Sequence, residues 1–136
     1  MVATVGLDEA AALWKTESAA DVRALLPEPA VLVVKDGAVG ASAFHDGGVH
    51  SVPALQVEVV EPVGAGDAFA AGWLSGMLRG SSHVARLRLG HLVAGAALRS
   101  TGDHAALPPP GVLAAALAVD DDSWAGALES VPGAVL

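Results

Sequence analysis

The chain has 136 residues, 53% of them hydrophobic and 16% charged, with 7 Lys+Arg against 15 Asp+Glu and a formal net charge of −8. A chain this long buries roughly two-thirds of its unfolded surface, enough for one core, and this composition excludes a disordered polyelectrolyte. The acidity argues against a nucleic-acid partner, because general affinity for a phosphate backbone comes from Lys and Arg.

In chain order, Asp8 to Trp14 are good helix formers, with Asp8 and Glu9 near the N-terminal end that favours negative charge. A second short helix is predicted from about Ala19 to Leu26, punctuated by Pro27 and Pro29. Ala30-Val31-Leu32-Val33-Val34 is a continuous apolar, β-branched run that suits a strand buried on both faces. Asp36-Gly37 and Asp46-Gly47-Gly48 are turn signals on either side of Ala38 to His45, which predicts a β-meander. Gln56 to Val60 alternates as a further strand. A central strand needs neighbours on both sides, and few are on offer, so the remaining strands are expected outside this chain.

Helical periodicity returns after Gly64-Ala65-Gly66, with Phe69, Trp73 and Met77 at i, i+4, i+8 and Leu74 and Leu78 expected to continue that face. Gly72 and Gly76 sit one turn apart there, each costing about 1 kcal/mol relative to Ala, which close approach to a neighbour would offset. A third helix is predicted over His83 to Arg99, burying Leu87, Leu89, Leu92, Val93, Ala96 and Ala97. Thr101-Gly102-Asp103 breaks it, Pro108-Pro109-Pro110 connects to a last helix near 112–119, and residues 120–136 read as a loosely held tail. Helices around a hydrophobic meander imply a layered α/β architecture.

With no cysteine, disulfides and thiolate metal sites are excluded, and a cytoplasmic setting fits. No apolar run approaches the ~18 residues of a membrane span, and the N-terminus does not resemble a signal peptide.

The segment with most chemistry is Glu61-Pro62-Val63-Gly64-Ala65-Gly66-Asp67-Ala68-Phe69. A small-residue turn here feeds directly into a helix. The first helical turn carries unpaired N–H groups and a partial positive charge, and side chains this small let an anion approach them. Asp67 stands at the lip of that cradle. Such an arrangement suits phosphoryl transfer: the amides neutralise charge on the transferred group, and the carboxylate orients a hydroxyl and takes its proton. An Asp ahead of an apolar helix also reads as a plain N-cap. The chain has no G-x-x-x-x-G-K-[ST] P-loop.

Gly64-Ala65-Gly66-Asp67-Ala68-Phe69 closely resembles the C-terminal signature of the ribokinase-like (PfkB) carbohydrate kinases, D-T-x-G-A-G-D or D-P-x-G-A-G-D. The resemblance implies a three-layer α/β/α sandwich, of which residues 1–119 would be the C-terminal, nucleotide-binding part. It also implies that Gly64, Ala65 and Gly66 form an anion hole for the γ-phosphate of ATP and that Asp67 is the catalytic base. Lys35-Asp36-Gly37-Ala38-Val39-Gly40 resembles the family's (T/K)-x-G-x-x-G nucleotide loop, implying ATP contacts from Lys35, Gly37 and Gly40; a hairpin turn is the other reading of the same residues. Glu9 matches the Glu of an N-x-x-E segment that organises Mg2+ and phosphate, although Gly6 stands where Asn is usual. Counting back from Gly102-Asp103, His91 falls at an adenine-proximal position, and a His on a mostly apolar helix also reads as packing. Glu61 replaces the Asp that helps form a monovalent-cation site, K+ in several members.

The resemblance spans about residues 6–110 and only the C-terminal half of a family chain. It implies an ATP-dependent kinase for a small-molecule sugar or sugar acid, most like the 2-keto-3-deoxygluconate kinases, with neither nucleic-acid nor membrane partner; a homodimer is compatible with it. A nucleoside kinase of the same family and a non-catalytic nucleotide-binding module are the alternatives. Outside the resemblance, His45 and His50 could face one another across a hairpin as a metal pair, or be part of a solvated turn, and Asp120-Asp121-Asp122 could hold a divalent ion or simply be solvated. For Trp14, Trp73 and Trp124, packing suffices.

Overall fold

The computed structural model of the chain describes residues 1–57, 64–98 and 109–126. They belong to two compact units, Met1–Ala54 and Leu55–Leu136.

The first unit runs β1 (Val2–Gly6), α1 (Leu7–Trp14), α2 (Ala19–Leu25), β2 (Val31–Asp36), β3 (Gly40–His45) and β4 (Gly48–Pro53). Its sheet has the order β1-β2-β3-β4; β1 pairs parallel with β2, and the other two pairs are antiparallel. A parallel pair requires a crossover, and α1 and α2 provide it. Ser18 and Asp21 start α2 with a reciprocal capping box, the Asp21 amide donating to Ser18 Oγ at 3.2 Å and the Ser18 amide to Asp21 Oδ2 at 3.2 Å. Arg23 donates to the Pro29 carbonyl at 2.8 Å and ties the end of α2 to the approach to β2. Strand alternation then sorts the core. Ala3 and Val5 lie beside Leu32 and Val34, Phe44 lies beside Leu32, and this set packs with Ala10 and Val22 of the crossover helices.

Two sequence expectations change here. The chain does not open on a helix: Val2–Gly6 is a strand, and it gives β2 the second neighbour that seemed to be missing. Five residues ending in Gly6 are too short to show a clear period, and only the pairing with β2 makes them a strand. In the strand expected at 56–60, Gln56 and Val57 lie outside any strand and the rest falls outside the described residues.

The second unit contains α3 (Ala65–Leu78), α4 (His83–Leu98), α5 (Pro110–Leu117) and a short 3-10 turn, Trp124–Gly126. Ser82 caps α4 through its Oγ, which accepts from the Ala85 amide at 3.2 Å. Helices α3 and α4 approach closely where side chains are missing. A methyl on Gly72 would lie 2.6 Å from the Leu89 carbonyl oxygen, and one on Gly76 would lie 3.2 Å from Arg86 Cα. Phe69 and Trp73 share that packed face and are buried, whereas Leu74 and Leu78 are exposed rather than continuing it. At about 100° per residue, 74 and 78 fall on the side of α3 opposite the two glycines.

Arg88 is buried in α4 and organises the segment beyond α5. Its guanidinium donates to the Leu117 and Val119 carbonyls at 2.9 and 2.7 Å, pairs with Asp121 at 2.8 Å and lies over the Trp124 ring, 4.9 Å from its centre. Residues 120–126, the described part of the segment expected to be loose, are therefore tethered, and Trp124 is buried. Asp120 accepts from the Ser123 amide at 2.8 Å. Trp14, unlike the other two tryptophans, is partly exposed.

Two outcomes test this packing. Gly72→Ala should destabilise the fold by about 1–3 kcal/mol in chemical denaturation, because overpacking against a backbone carbonyl outweighs the roughly 1 kcal/mol gain in helix propensity. Hydrogen bonds from the Ser123 side chain and amide hold the Asp120 carboxyl below the ordinary carboxylate range. A depressed carboxylate favours the folded turn above its unfolded pKa and loses that contribution as pH falls through the folded value. The Trp124 indole NMR signal should therefore persist down to the ordinary carboxylate range and move below it, and Asp120→Asn should remove this component.

Candidate active site

The site is built on the start of α3. Gly64 is its N-cap, with φ 86° and ψ −4°, in the left-handed region that glycine adopts without a Cβ penalty. The first helical bond of α3 runs from the Ala68 amide to the Gly64 carbonyl at 2.9 Å. The amides of Ala65, Gly66 and Asp67 therefore precede the ladder, as the opening donors of any α-helix do. Among the described residues no side chain caps this end. Gly64 and Gly66 are exposed, and a methyl on Gly64 would meet nothing within 4 Å.

Asp67 lies in the first turn, three residues past the cap, and is exposed. It is not the N-cap, so the plain capping reading of this residue does not describe the geometry. What the turn offers is an open set of N–H donors at the positive end of a 14-residue helix with a solvated carboxylate on the same turn. That arrangement can receive an anion and present a proton acceptor beside it.

Behind the turn, Phe69 is 3% exposed and meets the ring of His91 edge-on, with centroids 5.1 Å apart. His91 thus packs in α4 against the helix that carries Asp67, itself 6% exposed. Gly90, beside it, is a residue the sequence reading passed over; an isolated glycine inside a predicted helix was the available signal. Glu61 lies outside the described residues, as do Pro62, Val63 and Thr101–Pro108.

The other expected positions lie in the first unit. Lys35 ends β2 with Asp36, and Gly37, Ala38 and Val39 make a tight turn closed by the Val39 amide on the Asp36 carbonyl at 2.8 Å. Gly40 opens β3 at φ 157°, where a methyl would lie 2.6 Å from the Val52 carbonyl oxygen, so strand β4 leaves no room for a side chain. The hairpin reading of 35–40 thus describes its backbone. Glu9 reaches back over the start of α1: a methyl on Gly6 would lie 3.3 Å from its carboxyl carbon. The glycine in place of Asn leaves space that this side chain approaches.

His45 and His50 do face each other, with His45 Nε2 and His50 Nδ1 2.7 Å apart and the rings stacked. The Gly47 amide donates to His45 Nδ1 at 3.0 Å, so the proton of neutral His45 sits on Nε2 and points at His50. A metal ion between the rings would need the tautomer that opposes the Gly47 N–H. Among the described residues no three His, Cys, Asp or Glu side chains form a metal group, the 120–122 aspartates included. No helix among them is long and apolar enough to cross a membrane.

Comparison with known proteins places this geometry in context. The sequence profile of the pfkB family carbohydrate kinases matches residues 1–109. The chain is 50% identical over 58 residues to the 1-phosphofructokinase of Haloferax volcanii, covering 43% of this chain and 19% of that protein. It is 34% identical over 107 residues to the 2-dehydro-3-deoxygluconokinase of Escherichia coli K12, covering 74% of this chain and 35% of that protein. Among solved structures, the aminoimidazole riboside kinase of Salmonella enterica, complexed with aminoimidazole riboside and an ATP analogue, superposes with a TM-score of 0.68 at 29% identity, over 83% of this chain and 40% of that one. The chain therefore spans well under half the length of these relatives, and the α/β fold it shares with them is the ribokinase-like fold expected from the sequence.

Gly64→Ala tests the turn directly. Since a methyl meets open space, the cost is the left-handed backbone alone, about 1–2 kcal/mol of unfolding free energy measured by chemical denaturation.

Proposed function

Because this chain belongs to the pfkB family of carbohydrate kinases, we propose that it carries the phosphoryl-transfer site of an ATP-dependent kinase acting on a sugar or sugar-acid hydroxyl. The observation that carries this reading is the uncapped, glycine-opened start of α3 with Asp67 exposed on its first turn. In the proposed reaction the amides of Gly64, Ala65 and Gly66 face the γ-phosphate oxygens and neutralise charge as the phosphoryl group moves. Asp67 orients the attacking hydroxyl and accepts its proton, late, as a loose transition state allows. Lys35, Gly37, Gly40 and His91 are proposed ATP contacts.

Mg2+ is commonly held by one or two carboxylates together with nucleotide phosphates. The residues present fit that mode better than an all-protein site, since among the described residues no three His, Cys, Asp or Glu side chains gather into a metal group. Glu9, with its exposed carboxylate at the start of α1, is the proposed protein contribution. When bound, the ion would screen phosphate charge. A monovalent-cation site at Glu61 is part of the same proposal.

Sugar acids are favoured as substrates by the 2-dehydro-3-deoxygluconokinase relative, whose match covers most of this chain. A nucleoside acceptor is the second reading, favoured by the likeness to the aminoimidazole riboside kinase structure. A phosphorylation screen over sugars, sugar acids and nucleosides separates the two. In the whole protein, Asp67→Asn should lower kcat by about 10²–10⁴ with little change in KM for ATP. Wild-type turnover in that variant would refute the base assignment.

A further inference from the structure

Just past the first turn of α3, Phe69 packs against α4. Phe69 lies two residues beyond Asp67, and its ring rests directly on the backbone of α4 at Gly90. A methyl on Gly90 would lie 2.7, 2.9 and 2.9 Å from Cε2, Cδ2 and Cζ of that ring. Real Cβ atoms do not come this close, so with any side chain at 90 something must shift, and the Phe69 ring is the group it meets. The ring has little freedom to tip: it is 3% exposed, and His91 meets it edge-on at 5.1 Å. One turn further along α3, a methyl on Gly72 would lie 2.6 Å from the Leu89 carbonyl oxygen and 3.0 Å from Gly90 Cα. The middle of α3 is thus held against the same stretch of α4.

We propose that Gly90 is a positioning residue for phosphoryl transfer: by presenting no side chain it seats the Phe69 ring, and the seated ring sets where the amides of 64–66 and the Asp67 carboxylate stand. The proposal rests on the reading of Asp67 as base and residues 64–66 as anion hole, and adds to it a residue remote from the reacting atoms. Relieving the contact means moving the ring by most of an ångström. Misplacement of that size in a reacting group costs about 10²-fold in rate.

The test has a structural and a kinetic arm. In the first, amide NMR signals of Gly64 to Asp67 are followed in this chain. Gly90→Ala should shift them, and adding Phe69→Leu, which makes room for the methyl, should return them toward wild type. Gly76→Ala, at a less crowded glycine toward the far end of α3 where a methyl would lie 3.2 Å from Arg86 Cα, should leave them in place. In the second arm, on the whole protein, Gly90→Ala should lower kcat by about 10- to 100-fold with KM for ATP changed little. Gly76→Ala should keep wild-type kcat, and Phe69→Leu/Gly90→Ala should recover most of the kcat lost in Gly90→Ala. Should Gly90→Ala fail to fold, Phe69→Leu is compared with Phe69→Leu/Gly90→Ala, and the methyl that refills the gap should raise kcat. Unmoved signals at 64–67 in folded Gly90→Ala, an equal loss of kcat in Gly76→Ala, or no recovery in the double variant would overturn the proposal. Asp67→Asn in the same assay separates the two layers. If it turns over normally, the base reading fails; if it is inactive while Gly90→Ala is not, only the positioning role fails.

Discussion

Two helix backbones can come as close as α3 and α4 do only where side chains are missing from the crossing. A Cβ on Gly72 would lie 2.6 Å from the Leu89 carbonyl oxygen, closer than real Cβ atoms come, and one on Gly76 would lie in tight contact, 3.2 Å from Arg86 Cα. In an isolated helix each glycine is unfavourable by about 1 kcal/mol relative to Ala; here the approach they permit buries Phe69, Trp73, Leu87, Leu89 and Leu92. The second unit depends on this crossing. It fixes the axis of α3, and with it the turn at which the helix begins.

That turn is built differently from the starts of α2 and α4. Those helices open on Ser18 and Ser82, whose hydroxyls accept backbone amides. Helix α3 opens on a left-handed glycine with no side-chain cap, and its one early carboxylate, Asp67, is left in solvent. A serine cap would use one of the amides that an anion would otherwise meet. In the first unit, too, a glycine stands where there is no room for a side chain, Gly40 lying against the Val52 carbonyl. Arg88 plays the converse role in the second unit, using a charged side chain to gather two carbonyls, a carboxylate and an aromatic ring into one anchor.

Much of this was legible in the residues. The Gly-Ala-Gly-Asp turn, the helix after it, the meander and the second long helix all follow from period and turn chemistry, and the matched family profile agrees with the resemblance those residues carry. The failures have specific causes. Strand β1 was missed because five residues hold too little period to distinguish a strand, and its identity comes from its partner. Leu74 and Leu78 lie outside the core because the packed side of α3 is the one that carries Gly72 and Gly76 together with Phe69 and Trp73. Arg88 was passed over because polar residues are buried only when a partner is waiting, and sequence does not display partners; for His91 the packing reading describes where it lies.

What the sequence determined by itself is therefore local: where helices start, where turns must bend, and which short segment has the glycines and the acid that phosphate chemistry calls for. These features come from backbone sterics and hydrogen-bond supply within a few residues. The tertiary structure alone decided that the first residues pair as a strand, which side of α3 is buried, and that Gly90 seats Phe69 beneath the Asp67 turn. Each of these depends on the distance between segments far apart in the chain, and a close approach is a property of two backbones together rather than of either one.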